Sequence, residues 1–209
     1  NSRGELYNVD PVTGDARFCG TTASMCGIEK AGFEQDDAAM ERAIGFDVML
    51  HAYMFMQSGI PVLYSGDEIG QVNDYTYKEN PNKAADSRYI HRGAMNWTLA
   101  KNISDPDTVE GKLFERIGRL IQIRKREKAF VSNADTWTIE TGDPSVLCIG
   151  RYFEGDKIIG LFNFSEFDKK ARISQTNEEY MELVSGARMK LQEVSIPAYG
   201  FYYFKNCDK

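Results

Sequence analysis

The feature that most limits the fold of this chain is a change in its apolar pattern near Phe130. From residue 35 to 130, segments with helical spacing alternate with loops and one short buried run. From residue 130 to 205, short runs of strand-forming residues are separated by turn residues. The pattern predicts an α/β region over 1–129 and an antiparallel β domain over 130–209.

Two long helices are predicted in the first region. The segment DDAAMERAIGFDVMLHAYMFMQSG begins with acids and ends in Ser-Gly, and its apolar spacing favours a largely buried helix of about twenty residues. The second helix follows DPDT, where Asp107 and Glu110 have the spacing of a capping box. Its basic end, Arg124 to Lys128, is typical of a solvated helix terminus because cations favour the negative end of the helix dipole.

Between these helices lies SGIPVLYSGDEIG, residues 58–70. Its apolar run without polar alternation predicts a strand buried on both faces, as in a parallel sheet. Asp67 and Glu68 follow this strand, where neighbouring side chains point to opposite faces, so they are a poor acid–base pair for one scissile bond. We predict that they accept loop N–H groups at the rim of a site.

The second region contains short strand-like segments that predict a small antiparallel sheet or sandwich. The turn EGDK joins two of them into a hairpin. Packing explains their aromatic pattern, and a carbohydrate-binding face is the alternative. The segments are ADTWTIE, SVLCIGRYF, KIIGLFNF, KARIS, YMELV and YGFYYFK.

Composition excludes several classes of protein. The net charge is −6 and the Lys and Arg residues are scattered, so nucleic acid is not expected as a partner. No apolar run is long enough for a membrane span. Only two histidines are present, which argues against proteases and zinc hydrolases, and we predict neither a metal nor another cofactor. The four cysteines match no zinc or disulfide framework; the location stays open, with the cytoplasm favoured.

Several motifs resemble those of one enzyme family. SGIPVLYSGDEIG is similar to the segment that closes the (β/α)8 barrel of the alpha-amylase superfamily, glycoside hydrolase family thirteen. YNVDPVTGDARFCGTTASMCGIE (7–29) and NDYTYKENPNKAADSRYIHR (73–92) resemble segments of amylosucrases. IPAYGFYYFK resembles the last strand of the family's C-terminal sheet. The resemblance implies the last strand and helices of a TIM barrel followed by a β domain, taken from an enzyme that acts on sucrose or α-glucans.

The resemblance also implies two substrate-binding arginines. Arg88 matches an amylosucrase arginine that pairs with an acid at the closed end of the glucosyl pocket, and we expect that partner acid to be absent from this chain. Arg17 matches an arginine on the acceptor side. Asp86 and Asp74 are candidates for the same rim. For all four, the alternative is an ordinary loop residue that bonds to nearby backbone.

The sequence also departs from the amylosucrase pattern. Tyr89 stands where a Trp is usual, HRGAMNW replaces a segment with Pro, and FCGTT replaces a Ser-Gly-Thr segment. No His-Asp-Asp motif occurs, so the family's catalytic carboxylates are not found and no catalytic residue is assigned. We predict that the chain alone is inactive, and that the full-length enzyme would transfer or release glucosyl groups by double displacement.

Two other functions stay open. One is a non-catalytic module that binds α-glucan through exposed aromatics such as Trp137 or Tyr152. The other is a self-contained hydrolase that uses Asp67, Glu68 and Asp86. In addition, we expect self-association, because one parallel strand with its helices would leave apolar barrel surfaces exposed.

Overall fold

A computed structural model describes residues 4–173 and 179–207. They form two compact units, the first made of Asn1–Asp47 and Leu63–Glu115 and the second of Val48–Val62 and Arg116–Lys209. The helices are α1 (Thr22–Cys26), α2 (Ile28–Glu34), α3 (Asp37–Met56) and α4 (Val109–Arg126), with 3-10 turns at Asp67–Ile69, Tyr75–Glu79, Ser87–His91, Leu99–Ser104 and Lys128–Phe130. The strands are β1 (Glu5–Tyr7), β2 (Arg17–Cys19), β3 (Asp135–Ile139), β4 (Val146–Phe153), β5 (Asp156–Asn163), β6 (Lys169–Arg172), β7 (Glu179–Glu182), β8 (Arg188–Lys190), β9 (Glu193–Ile196) and β10 (Phe201–Asn206).

The prediction of a long buried helix over α3 is confirmed. The helix has 20 residues; of the apolar positions that predict it, Ile44, Val48, Ala52 and Phe55 are buried, whereas Met40 is half-buried. Because hydrophobic residues line most of its circumference, the helix is a core element rather than a surface helix with one apolar stripe.

The second predicted helix is confirmed as α4, but its cap differs from the prediction. The Thr108 hydroxyl accepts the backbone N–H of Gly111, so Thr108 is the N-cap. Asp107 donates its own backbone N–H to the Asp105 carboxylate and belongs to the preceding turn. The capping box predicted from Asp107 and Glu110 is therefore wrong by one position.

The buried strand predicted within residues 58–70 does not form. Residues 60–64 belong to no described sheet, and Ile60 and Val62 are 87% and 76% exposed. A segment becomes a strand only when neighbouring strands pair its N–H and C=O groups, and every strand pair in the described ranges is antiparallel and formed by other residues. The barrel portion of the predicted fold is not confirmed.

The first unit contains a ribbon in which β1 pairs antiparallel with β2. The loop between them is tightened by Asp10, whose carboxylate accepts the N–H groups of Val12 and Thr13 at 2.7 and 2.8 Å. Below the ribbon, Cys19 forms a small core with Tyr77 and Ile90. The ribbon was not predicted from the sequence, because its strands have only three residues each.

The second unit is a β-sandwich that packs on helical segments. Its larger sheet has the order β3-β4-β5-β10-β7-β8, and β6 pairs with β9 in a smaller sheet. Side chains from both sheets form one core, so the predicted antiparallel sandwich is confirmed. Every predicted segment contains a strand, although Ser174 of KARIS lies outside the described residues; β8 and β9 were missed.

The EGDK turn is a two-residue hairpin loop between β4 and β5. Glu154 and Gly155 have φ values of 46° and 91°, and Phe153 pairs with Asp156 across the turn. Two consecutive positive φ values are those of the turn that matches the natural twist of a hairpin. This part of the prediction is confirmed.

The face of the larger sheet opposite the sandwich core is fastened to the last turns of α3. Tyr203 donates its hydroxyl hydrogen to the carbonyl of Ala52, and the fully buried Arg151 donates to the carbonyls of Met56, Ala129 and Val131. Arg124 donates a hydrogen bond to the carbonyl of Phe55. This part of the basic run therefore holds α4 to the end of α3 and is not simply a solvated helix end.

No helix within the described ranges has a stretch long and apolar enough to span a membrane. All four cysteines have free thiols, and three of them are buried.

Candidate functional site

All the site residues predicted from the sequence lie in the first unit. They lie on the β1–β2 ribbon or at the start of one of three short 3-10 turns. These short elements hold the polar side chains in place. The predicted residues are Arg17, Asp67, Glu68, Asp74, Asp86 and Arg88.

Arg88 and Asp86 form a rigid ion pair at the start of the turn Ser87–His91. Asp86 is the N-cap of this turn and accepts the backbone N–H of Arg88 at 3.0 Å. Its carboxylate also accepts hydrogen bonds from Nε of Arg88 at 2.9 Å and from the outer nitrogen Nη2 at 2.7 Å. Arg88 therefore has a carboxylate partner within this chain, whereas the sequence predicted none.

This hydrogen bonding changes the acidity of both groups. The hydrogen bonds from Arg88 lower the pKa of Asp86 to about 2, and those to Asp86 raise the pKa of Arg88. The pair is therefore ionised at neutral pH. Because Nε and Nη2 face Asp86, the second terminal nitrogen of the guanidinium, Nη1, is left to face other groups.

Tyr7 links the two predicted arginines. The Arg88 guanidinium lies 4.5 Å from the centre of the Tyr7 ring, in a cation–π contact. Within the ribbon, Tyr7 is the direct cross-strand partner of Arg17, so the two side chains lie on one face of the ribbon. The structure thus gathers Tyr7, Arg17, Asp86 and Arg88 into one polar surface, which we call the arginine face.

The ribbon is attached to the neighbouring turns by polar contacts. Ser87 donates its hydroxyl hydrogen to the carbonyl of Leu6 at 2.9 Å. The Glu5 carboxylate accepts hydrogen bonds from Tyr77 and pairs with Lys78. Burial and the neighbouring Glu5 raise the pKa of Tyr77 to about 12, so this hydroxyl stays a donor at every physiological pH. These contacts fix Tyr7 against Arg88.

Tyr89, which stands where the family pattern has Trp, makes two cation–π contacts. Lys83 lies 5.2 Å and Arg92 5.6 Å from the centre of its ring. A phenol ring thus carries two cations beside the Arg88–Asp86 pair, which makes this edge of the unit locally basic in an acidic chain.

The other predicted acids have local roles in the backbone. Asp74 caps the turn Tyr75–Glu79, where its carboxylate accepts the N–H of Thr76 at 2.9 Å and the Thr76 hydroxyl at 2.6 Å. Glu68 accepts the N–H of Gly66 at 2.9 Å, which is the kind of contact that the structural interpretation expects. Asp67 opens the same short turn. None of these contacts assembles an acid–base pair.

Sequence reasoning missed Tyr7, Glu5 and the internal partner of Arg88. Tyr7 begins one of the quoted motifs, and an aromatic residue is the natural support for a guanidinium plane, so that signal was present. Within the described ranges, no three His, Cys, Asp or Glu side chains come together as a metal site. Separately, the N–H groups of Arg88 that do not face Asp86 can donate hydrogen bonds to hydroxyl oxygens.

No family model matches the chain. A curated relative, glucosylglycerate phosphorylase of Escherichia coli K12, is 26% identical over 168 residues, which are 79% of this chain and 29% of the relative. The chain therefore spans less than a third of the length of that relative.

Solved structures of several carbohydrate enzymes have a similar fold. AmyP in complex with maltotriose matches with a TM-score of 0.63 and 13% identity, over 78% of this chain and 35% of AmyP. Trehalulose synthase MutB of Pseudomonas mesoacidophila MX-45 gives 0.58 and 17%, over 78% and 38%. Trehalose-6-phosphate hydrolase of Bacillus licheniformis gives 0.57 and 15%, over 78% and 39%.

These similarities support the resemblance to the alpha-amylase superfamily that the motifs indicate. They do not single out amylosucrase or sucrose. The extent of each match is consistent with the C-terminal part of a longer chain.

Proposed function

We propose that this chain is the C-terminal part of a retaining, amylosucrase-like enzyme that transfers glucosyl groups from sucrose or an α-glucan to an acceptor, or to water. The catalytic carboxylates would lie in preceding barrel segments, because the sequence contains no motif for them. The chain would supply a wall of the substrate pocket and the C-terminal sandwich. The comparisons support glucoside chemistry of this general kind.

The observation that carries the proposal is the Arg88–Asp86 fork supported by Tyr7. A guanidinium held on one edge by a carboxylate and on one face by an aromatic ring has a preferred orientation, so its remaining N–H groups would form part of a wall for sugar hydroxyls. Arg17, opposite Tyr7 in the ribbon, would contact the acceptor beside this wall.

In the full-length enzyme the reaction would proceed in two displacements. A carboxylate attacks the anomeric carbon of the bound glucosyl unit while an acid protonates the leaving oxygen, and the glucosyl–enzyme bond is then broken by an acceptor hydroxyl or water. The residues of this chain would only bind and orient, which is why it should be inactive by itself.

Product analysis tests this proposal. We would incubate the isolated chain and the full-length enzyme with sucrose and with maltooligosaccharides, and separate the products by anion-exchange chromatography. We expect glucan or glucose from the full-length enzyme and no turnover by the chain. Turnover by the chain alone, abolished by Asp67→Asn or Glu68→Gln, would establish a self-contained hydrolase instead.

Variants of the full-length enzyme test the arginine face itself. Arg88→Ala should lower kcat/KM by about 100-fold or more, because a charge-assisted contact to the sugar is lost. Arg172→Ala, at an exposed position of β6, is the matched control and should leave kcat/KM unchanged. Equal kinetics of the two variants would remove Arg88 from the site.

A second candidate function is α-glucan binding by the sandwich. Trp137 pairs with Gly150 across β3 and β4, and its indole lies directly against Gly150, where a Cβ atom would be 2.2 Å from Cε2. Tyr152 lies two residues further along the same face, and both aromatics are partly exposed. Flat aromatic rings of this kind can stack on pyranose rings.

Affinity for soluble starch separates the two functions. A binding module would lose its affinity in Trp137→Ala or Tyr152→Ala and keep it in Arg88→Ala. A pocket wall of the proposed enzyme would show the opposite dependence in turnover by the full-length protein.

A further inference from the structure

The second unit contains a cavity of about 560 Å³ between the end of α4 and the β7–β8 hairpin. Four cationic side chains line it: Arg119 and Arg126 from the α4 side, Arg188 from β8 and Lys205 from β10. The cavity has the size of a small-molecule site, and none of its lining residues belongs to the arginine face.

The two carboxylates in the cavity wall already accept hydrogen bonds from groups of this chain. Glu127 is 7% exposed and accepts hydrogen bonds from Nε of Arg126 and Nζ of Lys205, both at 2.7 Å. Glu182 is 2% exposed and accepts the N–H groups of Val184 and Ser185 at 3.0 and 2.6 Å. Glu127 is therefore balanced by two cations, whereas Glu182 accepts neutral backbone N–H groups and keeps its negative charge beside the four cationic side chains.

The arginines keep donors that these bonds do not use. Arg119 is held by the carbonyl of Val184, and Arg126 by Glu127 through Nε, so each guanidinium is oriented by one bond of its own chain. Arg188 pairs with Glu179 at 3.5 Å in a largely exposed contact that contributes little and can be exchanged for a better partner. Lys205 also lines the cavity, but its ammonium group forms ion pairs with Glu127 and Asp156.

We propose that this cavity is a binding site for a phosphate group, either inorganic phosphate or the phosphate of a small metabolite. Three guanidinium groups, two from α4 and one from β8, line this cavity, and together they suit a tetrahedral anion with several oxygens better than a flat carboxylate. Two of the three are oriented before the ligand arrives, which lowers the entropy lost on binding.

Calorimetric titration of the chain tests this site, with inorganic phosphate, glucose 1-phosphate and acetate as ligands. We expect saturable binding of both phosphates, little binding of acetate, and weaker binding at about 0.3 M ionic strength. Tighter binding of glucose 1-phosphate than of inorganic phosphate would identify a phosphorylated metabolite as the ligand; the reverse order would identify the free ion.

Variants locate the binding. Arg119→Gln and Arg188→Gln each remove a charge at an exposed position and should weaken phosphate binding about tenfold or more. Arg172→Gln removes the same charge at an exposed position that does not line the cavity, and should bind as the unchanged chain does. Arg88→Gln should also bind normally, which separates this site from the proposed pocket wall. Absence of saturable phosphate binding, equal affinity for acetate, or undiminished binding by both cavity variants would overturn the proposal.

Discussion

Arg151 is a buried cation whose hydrogen-bond partners are carbonyl groups rather than a carboxylate. It has no exposed surface and bonds three carbonyls, from the end of α3 and from the segment that follows α4. Desolvation lowers the pKa of this guanidinium, yet the three charge-assisted bonds keep it in place. Its role is to satisfy backbone acceptors that a helix end would otherwise leave unpaired.

Replacing Arg151 with Met should therefore destabilise the protein. Three carbonyls would lose their donor at once, and we expect the free energy of unfolding to fall by about 3–5 kcal/mol. Urea denaturation measures the loss. Arg172→Met, whose side chain is 85% exposed, is the control and should change stability by no more than about 0.5 kcal/mol. Similar urea midpoints for the two variants would contradict a stabilising role of Arg151.

Asp86 gives a pH-dependent prediction. Its pKa in the folded chain is about 2, below the ordinary 3.8, so its contribution to stability is fully present above about 3.8 and is lost as the pH falls towards 2. Carboxyl NMR shifts should show this low titration. In Arg88→Gln the pKa of Asp86 should rise towards 3.8; an unchanged titration would mean that Arg88 is not the cause.

At the scale of elements, the packing of β3 against β4 depends on Gly150, which leaves room for the Trp137 side chain. The indole of Trp137 occupies the space where a side chain at Gly150 would lie. The sheet edge therefore depends on a missing Cβ atom rather than on an unusual backbone angle, since Gly150 does not have a positive φ.

Gly150→Ala should cost about 1–3 kcal/mol, because the new methyl group overlaps the indole. It should also shift the fluorescence of Trp137 to longer wavelength, measured with Trp97 replaced by Phe. Gly118→Ala is the control: no atom lies within 4 Å of its added Cβ, and alanine favours the α4 helix by about 0.5–1 kcal/mol. Destabilisation of both variants to the same extent would argue against a steric role of Gly150.

Local patterns were sufficient to predict much of this architecture. α3, α4 and the hairpin at EGDK depend on spacing, caps and turn residues that are close in sequence. β8 and β9, with three and four residues, are defined by their partners β7 and β6 rather than by their own composition. The strand predicted within 59–66 fails for the same reason, because pairing partners decide whether an apolar run becomes a strand.

The candidate site was predictable to the same limited degree. Asp86 and Arg88 are two residues apart, so their pairing is a local event that the sequence could have indicated. The support from Tyr7 depends on the ribbon, which is held to the turn by a hydrogen bond between Ser87 and Leu6, 81 positions apart. No local rule connects such distant residues.

At the scale of the whole molecule, the exposed segment around Ile60 and Val62 predicts self-association. These two side chains are 87% and 76% exposed, and their segment has no strand partner within the described residues, so another chain could pair with it. We expect sedimentation velocity to show concentration-dependent oligomers, and the double change Ile60→Lys and Val62→Lys to reduce them. Val12→Lys, at a position 91% exposed in the ribbon loop, should have no such effect. A chain that stays monomeric at high concentration would exclude this expectation.

The fastening of α3 also sets an order of events during synthesis on the ribosome. The carbonyls of Met56 and Ala52 accept hydrogen bonds from Arg151 and Tyr203, which are synthesised 95 and 151 residues later. At a translation rate of about 5–20 residues per second, the later donor, Tyr203, emerges roughly 8–30 s after the helix end. During that interval the last turns of α3 expose an apolar surface and lack the hydrogen bonds from Arg151 and Tyr203. This is the state of the nascent chain that a ribosome-associated chaperone would bind.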